Sequence, residues 1–501
     1  MCIKRSLIIH PLFFAIYPIL YLYANNVDLV SFSEILVPLA VTLGMTIVLF
    51  LGLRLLSKDG TRAGTLTSAI LTLFFSYGHI CTALAQRDVT IWDLPADRHG
   101  YLLLLWGLLF LLAVLVVVKK GSHLRTITTY LNVVGALLIA FPLVTVGIHT
   151  VNHARVGPLG AVPKNQIQFE VTENLPDIYY IILDAYARAD ILCEVYDYDN
   201  GEFIEHLTGK GFYVASRSRT NYALSYLSLA SSLNMEYVNH LSDELGVEST
   251  DRTIPYSMIV DNRVWRTLKG AGYRFLHFSS GWGPTDHNRF ADINCRPEVL
   301  NDFRTMLLET TMLNPIVSPV GPARRRARTL FTFEMIGEIA RLEEPTFVFA
   351  HLMVPHAPFV FDRHCDAGPH TQGIWPVLPY DRKGYADQLI CVNKMVEGLV
   401  DEILARSEVP PIIVLQADHG PESTTAEWGH PTQAFLRERM GIFNAYYLPE
   451  DGPNYLYPSI TPVNTFRLIF DSYFGTNLGL LEDRSYFSNY SHPYQFIQVV
   501  E

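Results

Sequence analysis

The sequence predicts an α-helical membrane domain with five transmembrane helices, followed by an α/β domain whose mostly parallel sheet is covered by helices on both faces. Two observations lead to this prediction. Apolar stretches of membrane-spanning length fill the first 150 positions of the 501-residue chain. After about residue 176, strand-like runs alternate with helical patterns, as they do in α/β domains. We therefore expect a transmembrane domain (1–150), a linker (151–175) and a second domain (176–501).

The five apolar stretches are interpreted as transmembrane helices because none has a charged residue at its centre. The cores of soluble proteins rarely supply five such runs in succession. The first stretch is not followed by a persuasive cleavage site of small residues, so we expect it to be retained as an anchor. The stretches lie near residues 7–24, 35–56, 65–85, 101–118 and 126–150.

Basic residues predict the orientation of these helices, because they are concentrated before the first helix and in alternate connections between helices. By the positive-inside rule, these ends face the cytoplasm. Five crossings then place the chain after about Val151 on the outer side. We predict a multi-pass protein of the bacterial inner membrane with an extracytoplasmic second domain. The basic residues are Lys4, Arg5, Arg54, Lys58, Arg62, Lys119, Lys120 and Arg125.

The second domain is predicted to form the parallel sheet from short β-branched and aromatic runs that alternate with helical patterns. The predicted strands are Ile178–Leu183, Tyr273–Phe278, Thr346–Met353, Ile412–Leu415 and Phe443–Leu448. The predicted helices are Phe203–Gly209, Leu224–Met235, Ser257–Gly270, Leu330–Arg341, Asp387–Arg406 and Pro431–Arg439.

Charge argues against a nucleic-acid partner. The chain has 38 Lys and Arg against 49 Asp and Glu, and the acidic excess lies in the second domain, whereas nucleic-acid binding needs a basic surface. One basic run, Arg324-Arg325-Arg326-Ala327-Arg328, stands out. Such a run is usually a solvated helix face or loop; alternatively, it contacts anionic lipid headgroups or a phosphorylated glycan.

Four of the six cysteines, Cys193, Cys295, Cys365 and Cys391, lie in the second domain. Disulfides are chemically permitted outside the cytoplasm. Cys365 and Cys391 are close in sequence and flank a loop rich in Gly, Pro and Tyr, so we prefer this pair. The spacing alone leaves the connectivity open.

Two predicted strands are followed by residues that commonly bind metals. Ile412–Leu415 leads into Asp418 and His419, and Ile178–Leu183 leads into Asp184. Parallel strands would deliver all three side chains to the same edge of the sheet. An Asp/His/Asp set with room for one more oxygen suits one Zn²⁺ or Mn²⁺ ion better than Ca²⁺. Aspartates at strand ends also cap helices, so the Asp-His-Gly tripeptide by itself is a weak signal.

Four blocks in a fixed order resemble the alkaline phosphatase/sulfatase superfamily. More narrowly, they resemble its membrane-anchored branch, which contains lipoteichoic acid synthases and lipid A phosphoethanolamine transferases. The resemblance covers roughly residues 176–480 and implies an alkaline phosphatase-like fold for the second domain. The blocks are Ile-Ile-Leu-Asp184, a helix start rich in Ser and Thr near residue 225, His351 to Phe359 with His356, and Asp418-His419-Gly420.

The resemblance implies a nucleophilic hydroxyl that opens a helix and also binds the metal. Ser225 best matches that position, although the transferase branch usually has threonine there. A helix N-terminus favours an anionic substrate through its free N–H groups and its dipole. Thr220 and Ser228 are alternative nucleophiles, and small residues at this place also permit close helix packing.

Three histidines receive roles from the same resemblance. His356 resembles the residue that contacts the transferred phosphate or protonates the leaving oxygen. His351 and His430 are predicted to bind substrate. Alternatively, His351 is a core histidine bonded to the backbone, and His430 is a loop residue beside Trp428.

Together these features predict a metal-dependent transferase. It would move a phosphate-bearing headgroup, phosphoethanolamine or phosphoglycerol, from a membrane phospholipid to a cell-envelope glycan through a covalent Ser225 intermediate. The alternatives are a sulfatase or phosphodiesterase of the same fold, and a membrane-anchored protein without activity. Formylglycine sulfatases resemble each other in a Cys- or Ser-x-Pro-x-Arg motif, and the nearest run here, Cys295-Arg296-Pro297-Glu298-Val299, lacks the final arginine.

The predicted orientation can be tested with a reporter that is active only in the cytoplasm. Fused after Glu501, this reporter should stay silent, because an odd number of crossings places the C-terminus outside. A reporter that is active on both sides serves as the expression control. Cytoplasmic activity of the fusion would contradict both the five crossings and the extracytoplasmic site.

Overall fold

The computed structural model describes most of the chain and divides it by contacts into two compact units. One unit comprises residues 1–158, 299–321 and 373–376, and the other comprises the remainder. The described residues are 7–27, 30, 32–85, 90–91, 94–95, 99–119, 123–155, 175–297, 302–317, 320–339, 342, 344–368, 381–424, 427–450 and 452–500. The predicted linker falls mostly on 156–174, outside the described residues, as do the basic residues Lys4, Arg5 and Lys120.

A helix covers each of the five predicted apolar stretches. Among the described residues, three helical segments are long and apolar enough to cross a membrane: Phe32–Ser57, His99–Lys119 and Leu124–Ile148. The first helix is shorter but apolar, and the count of five crossings remains a prediction. The helices are α1 (His10–Ala24), α2 (Phe32–Ser57), α3 (Gly60–Ala85), α4 (His99–Lys119) and α5 (Leu124–Arg155), and two short strands, β1 (Thr90–Ile91) and β2 (Leu94–Pro95), pair antiparallel.

The second unit is built on a seven-stranded, mostly parallel sheet, as predicted. Its strands are β3 (Ile178–Leu183), β4 (Tyr213–Val214), β5 (Arg274–Phe278), β6 (Ile293–Cys295), β7 (Thr346–Leu352), β8 (Ile412–Gln416) and β9 (Asn444–Tyr447). Their order in the sheet is β4-β9-β8-β3-β7-β5-β6. Only the pairings of β9 with β8 and with β4 are antiparallel. The central strand β3 pairs in parallel with both β7 and β8, so the carboxyl ends of these three strands lie side by side.

Both faces of the sheet are buried. Tyr179, Ile181 and Leu183 of β3 belong to one hydrophobic cluster, and the alternating residues of the same strand belong to the other. Complete burial explains why β3 is a continuous apolar run without alternation of polar residues. Each buried aliphatic side chain of this kind contributes about 1.5–3 kcal/mol.

Helices cover the two faces of the sheet. Four of the six predicted helices match within about five residues, the helix predicted from Leu330 begins at Val320, and the single helix predicted over Ser257–Gly270 is two helices. A new helix begins after Asn262, whose side-chain oxygen accepts a hydrogen bond from the Trp265 N–H (3.0 Å), as in an N-cap. The helices that follow α5 are α6 (Ala189–Tyr196), α7 (Gly201–Gly209), α8 (Ser225–Asn234), α9 (Leu241–Leu245), α10 (Thr253–Val260), α11 (Arg263–Gly270), α12 (Asp302–Glu309), α13 (Asn314–Val317), α14 (Val320–Ile339), α15 (Arg382–Arg406), α16 (Gln433–Met440) and α17 (Pro462–Tyr473). Of these, α12 and α13 belong to the first unit.

Two further features complete the second unit. The preferred disulfide Cys365–Cys391 is present. Near the C-terminus, β10 (Ser485–Phe487) and β11 (Ile497–Val499) form an antiparallel pair that the sequence analysis did not predict.

A buried polar network ties β8 to its neighbours. Gln416 accepts a hydrogen bond from the Tyr180 hydroxyl (2.7 Å) and donates to Asn444 Oδ1 (3.0 Å) and Thr465 Oγ1 (2.9 Å). Because all four residues are buried, the loss of one partner would leave a polar group that has neither a protein partner nor water to bond to.

We expect Gln416→Leu to lower the free energy of unfolding by about 1–3 kcal/mol, because it leaves several buried polar groups without a hydrogen-bond partner. Thr465→Val removes one partner and should have a smaller effect. Urea unfolding of the purified chain in detergent, followed by tryptophan fluorescence, measures both. A Gln416→Leu variant as stable as the wild type would show that the network does not stabilise the sheet.

Candidate metal centre and active site

Asp184, Asp418 and His419 converge at the carboxyl edge of the sheet. One ligand atom from each lies within 4.8 Å of the others, and all three side chains are buried. Asp184 directly follows β3, and Asp418 follows the end of β8 after one residue. The in-register pairing of β3 with β8 brings together residues that are more than two hundred positions apart in sequence.

The backbone around Asp184 is fixed on several sides. Its N–H donates to the carbonyl of Leu352 (2.9 Å), and its carbonyl accepts from the N–H of His356 (3.0 Å). The next residue, Ala185, has a φ of +62°, a left-handed conformation that L-residues adopt rarely and at some cost. The Tyr385 hydroxyl, which donates to the Ala185 carbonyl (2.8 Å), helps to hold this turn.

The polar atoms of the cluster fit a divalent cation. Asp184 Oδ1 and Asp418 Oδ2 are buried and, among the described residues, lack a hydrogen-bond partner. His419 Nδ1–H donates to the carbonyl of Gly420 (2.9 Å), so in the neutral imidazole Nε2 carries the lone pair. Nε2 lies 3.3 Å from Asp418 Oδ2 and 3.7 Å from Asp184 Oδ1. Converging acceptors without donors are costly when buried, and a cation removes that cost.

Protonation states agree with this arrangement. Burial, followed by the nearby guanidinium of Arg439, lowers the pKa of His419 below its usual value, so the imidazole is neutral at physiological pH. Burial alone would raise the pKa of Asp184, but the neighbouring His356, His351 and His419 together outweigh burial and lower this pKa below its usual range. The cluster therefore presents a carboxylate and a neutral imidazole, which are the forms that bind metals.

Ser225 lies at this cluster. It is the first residue of α8, and its Oγ is 2.9 Å from His419 Nε2, to which the hydroxyl donates. Ser225 is half-buried, whereas the other residues from 221 to 235 are buried. The helix start thus presents one accessible hydroxyl next to the metal-type ligands.

The two alternative nucleophiles are engaged elsewhere. Thr220 Oγ1 and Ser228 Oγ both donate to the carbonyl of Asp418, at 2.5 Å and 2.7 Å. Both side chains are almost fully buried, with exposed fractions of 0% and 1%. Their hydroxyls therefore hold the backbone at Asp418 and, unlike the Ser225 hydroxyl, are not accessible.

Arg439, whose role the sequence does not predict, links the two segments that carry Ser225 and His419. Its buried guanidinium donates to the carbonyl of Ala223 (2.9 Å) and to the carbonyl of Gly420 (3.0 Å). No local pattern marks this role, because Ala223 is 216 positions away.

His356 lines a small pocket next to the cluster. Its ring lies 6.4 Å from that of His419, centroid to centroid. Nδ1–H donates to the carbonyl of Ala357 (2.5 Å), which leaves Nε2 of the neutral ring free as an acceptor. Tyr385, Glu422 and Arg439 also line this pocket.

The arginine run holds the His356 loop, and the interpretation of this run as a solvated face is wrong. On α14 the alanines Ala323 and Ala327 are exposed, whereas Arg324 is 7% exposed. Arg325 donates to the carbonyls of the loop, including Ala357 at 2.6 Å. The carbonyls around α14 determine which of its faces is buried. A count of charges along the sequence gives no information about these carbonyls.

His351 and His430, predicted to bind substrate, are in very different places. The His351 side chain is fully buried; its Nδ1 lies 2.9 Å from Thr285 Oγ1, and its Nε2 lies 3.6 Å from Asp184 Oδ2. His351 thus contacts the Asp184 carboxylate from the buried interior of the domain. His430 is exposed in the loop before α16, where its N–H donates to the carbonyl of Glu427 (3.2 Å). The structure does not bring His430 into the buried cluster.

Comparison with known proteins gives one family and several similar structures. The Sulfatase family model matches residues 176–466. The chain is similar to the C-terminal periplasmic domain of EptC from Escherichia coli in complex with Zn (12% identity, 66% of this chain and 94% of that chain, TM-score 0.44). It is similar to the corresponding domain of phosphoethanolamine transferase EptC from Campylobacter jejuni (10%, 62% and 94%, 0.39). It is also similar to lipooligosaccharide phosphoethanolamine transferase A from Neisseria meningitidis (12%, 89% and 89%, 0.39). No curated protein matches.

The family match spans more than half of the chain, and it includes the metal-type cluster, Ser225 and His356. It begins two residues before β3 and extends into α17. The chain belongs to the sulfatase family, within the alkaline phosphatase/sulfatase superfamily, whose members are enzymes that act on phosphoryl or sulfuryl groups.

Proposed function

We propose that this protein transfers a phosphate-bearing headgroup, phosphoethanolamine or phosphoglycerol, from a membrane phospholipid to a cell-envelope glycan or glycolipid. The observation that supports this most is the Ser225 hydroxyl, which lies 2.9 Å from His419 Nε2, beside two carboxylate oxygens that lack a hydrogen-bond partner in the part of the chain that the structure describes. A nucleophile, a metal-type ligand set and an adjoining pocket thus lie at the carboxyl edge of one sheet, where α/β folds bind substrates.

Asp184, Asp418, His419 and Ser225 would hold one Zn²⁺ or Mn²⁺ ion. Such an ion lowers the pKa of a neighbouring hydroxyl and offsets the negative charge of a phosphoryl group. The protein's own part is to fix these ligands: Arg439 and the hydroxyls of Thr220 and Ser228 hold the backbone that carries them.

Transfer takes two steps of the same kind. In the first, Ser225 Oγ loses its proton to solvent and bonds to phosphorus while the bond from phosphorus to the diacylglycerol oxygen breaks, and that oxygen takes a proton from protonated His356. In the second, the now neutral His356 takes the proton from an acceptor hydroxyl, whose oxygen bonds to phosphorus while the bond from phosphorus to Ser225 Oγ breaks, and Ser225 Oγ regains a proton from solvent. The free Nε2 of His356 and its place in the pocket support this acid and base role.

The membrane helices suit a lipid donor. A multi-pass anchor in the inner membrane, with the catalytic unit outside, keeps the active site on the same surface as the phospholipid. The disulfide Cys365–Cys391 agrees with this location, because disulfides persist in oxidising compartments.

The same cluster would serve a hydrolase of this fold equally well. In that alternative, water replaces the glycan as the acceptor of the phosphate-bearing group. A formylglycine sulfatase is disfavoured because the accessible hydroxyl at the helix start is an ordinary serine, outside any Cys- or Ser-x-Pro-x-Arg motif. A protein without activity is disfavoured because a structural serine has no need to stay accessible beside the ligand set.

Substitution of the cluster tests the metal. Asp184→Asn and Asp418→Asn should each lose the bound ion and activity together, because an amide oxygen replaces a charged ligand. Elemental analysis of the purified chain measures the ion, and Asp243→Asn, the same change at an exposed aspartate of α9, is the control. A wild-type protein that contains no divalent ion and resists chelators would contradict the proposal.

Substitution of Ser225 tests the nucleophile. After incubation with phospholipid, mass spectrometry of the peptide that covers α8 should show an adduct in the wild type and none in Ser225→Ala, whose turnover should fall by about three orders of magnitude or more. Ser225→Thr should keep much of the activity. Ser228→Ala is the matched control and should keep the adduct. An adduct on Ser225→Ala would move the nucleophile elsewhere.

The substrate class has its own test. The wild-type protein should not turn over an aryl sulfate, because it lacks the formylglycine motif. A phosphodiester carrying the same aryl leaving group is the control for access to the site. Efficient cleavage of the sulfate would favour the sulfatase alternative over the transferase.

A further inference from the structure

Two aromatic side chains lie side by side at the surface of the second unit. Trp428 is in the loop before α16, and Tyr490 is in the chain between β10 and β11. Their ring centroids are 5.0 Å apart, and their planes are inclined by 48°. Trp428 is partly exposed, and Tyr490 is 49% exposed. We call these two residues the aromatic pair.

Trp428 packs on residues that hold the candidate active site. The guanidinium carbon of Arg439 lies 5.0 Å from the centroid of the Trp428 ring. The same guanidinium donates to the carbonyl of Ala223 (2.9 Å), two residues before Ser225. Trp428 Nε1–H donates to Glu422 Oε2 (2.6 Å), and Glu422 lines the pocket next to the metal-type cluster. The indole is therefore separated from the segment of the proposed nucleophile by one layer of side chains.

The hydroxyl of Tyr490 also lies near the cluster. Burial of this hydroxyl raises the pKa of Tyr490, and the guanidinium of Arg439 lowers it. The carboxylates of Glu422 and Asp184 raise the same pKa further. Charges act on a pKa mainly from nearby positions, so the hydroxyl lies within reach of the cluster although the residue as a whole is half exposed.

Arg252 packs on Tyr490 and places hydrogen-bond donors beside it. Its guanidinium carbon is 5.9 Å from the centroid of the Tyr490 ring and 5.1 Å from that of the Tyr226 ring. Tyr226 directly follows Ser225 in α8. Within the described ranges of the chain, Arg252 has no carboxylate partner. Its N–H groups can therefore donate to the hydroxyls of a ligand.

This combination of groups fits the face of a sugar ring. Aromatic side chains exposed beside a catalytic pocket are typical of binding surfaces. A pyranose ring has a face of C–H groups, which packs on an aromatic ring, and a rim of hydroxyls, which bonds to a guanidinium. Water and acyclic polyols have no such face. The aromatic pair can therefore distinguish a glycan acceptor from water.

We propose that Trp428, Tyr490 and Arg252 form the acceptor subsite of this enzyme, in which a pyranose ring packs on the aromatic pair. A sugar held there presents a hydroxyl to the headgroup on Ser225 and excludes the water that would otherwise hydrolyse it. This inference rests on the proposed function. It adds to that function the residues that recognise the acceptor and the chemical feature that they require.

The second half of the reaction can be measured alone. Full-length wild-type protein is incubated with phospholipid until the Ser225 adduct forms, and free lipid is removed. Mass spectrometry then follows loss of the adduct in buffer, with sorbitol, or with cellotetraose, a short chain of glucose rings. Cellotetraose should speed the loss about tenfold or more and gain the mass of the headgroup. Sorbitol, an acyclic polyol, should leave the rate as in buffer.

Substitution of Tyr490 tests the aromatic pair. Tyr490→Ala should still form the adduct, but the cellotetraose concentration that half-saturates its loss should rise about tenfold, because one ring face is missing. Tyr490→Phe keeps the ring and should restore the wild-type concentration. Tyr455→Ala, the same change at a tyrosine that is 59% exposed in the same unit, is the control.

A second pair of variants tests the guanidinium and does not alter the aromatic pair. Arg252→Gln should also raise the half-saturating concentration of cellotetraose, because it removes donors to the sugar hydroxyls. Arg289→Gln is the matched control, since Arg289 likewise packs on an aromatic ring, with its guanidinium carbon 4.9 Å from the centroid of Phe290. The control should bind cellotetraose as the wild type does.

Three results would overturn the inference. Equal loss of the wild-type adduct in buffer, sorbitol and cellotetraose would show that no sugar subsite is present. Unchanged half-saturation in Tyr490→Ala and Arg252→Gln would exclude these residues from acceptor binding. Failure of Tyr490→Ala to form the adduct, with normal adduct formation in Tyr490→Phe, would assign the ring to the donor. A wild-type protein that forms no adduct with any phospholipid would overturn the proposed function itself.

Discussion

Two buried carboxylate oxygens that face each other across the end of a sheet are the constraint on which this structure depends. Asp184 Oδ1 and Asp418 Oδ2 have no hydrogen-bond partner among the described residues, and the neutral His419 turns its lone pair toward them. An arrangement of this kind is unfavourable unless a cation occupies it. The parallel pairing of β3 with β8 imposes it, because both strands are buried on both faces and cannot shift register without exchanging the side chains that pack in the two hydrophobic clusters.

Much of the surrounding structure serves to hold this arrangement. Tyr385 bonds to the left-handed turn at Ala185, Arg439 joins the segments of Ser225 and His419, and Arg325 bonds to the carbonyls of the His356 loop. None of these three side chains belongs to the proposed ligand set or is the proposed nucleophile. Each of them fixes the backbone at or next to a residue with a proposed role in the site. Catalytic geometry of this kind depends on such supporting contacts at the level of tenths of an ångström.

Strand ends are local features, and they explain why the sequence was sufficient to predict the parallel sheet and the convergence of Asp184, Asp418 and His419. Ser225 was chosen among three hydroxyls from the family resemblance, and its role as a nucleophile stays a prediction. The long-range contacts were not predictable. Arg439 acts on a carbonyl 216 positions away, and the segment around Phe303 joins helices that precede it by more than two hundred residues. The interpretation of the arginine run as a solvated face was wrong because the loop carbonyls around α14, and not the charge of the run, determine which side of the helix is buried.

Anomalous diffraction from crystals of the chain grown with Mn²⁺ or Zn²⁺ tests the metal centre most directly. We expect one strong anomalous peak within about 2.0–2.3 Å of ligand atoms of Asp184, Asp418 and His419 and of Ser225 Oγ. A peak that excludes Ser225 from the ligands, or the absence of any peak at this edge of the sheet, would contradict the account of Ser225 as a nucleophile at a metal centre.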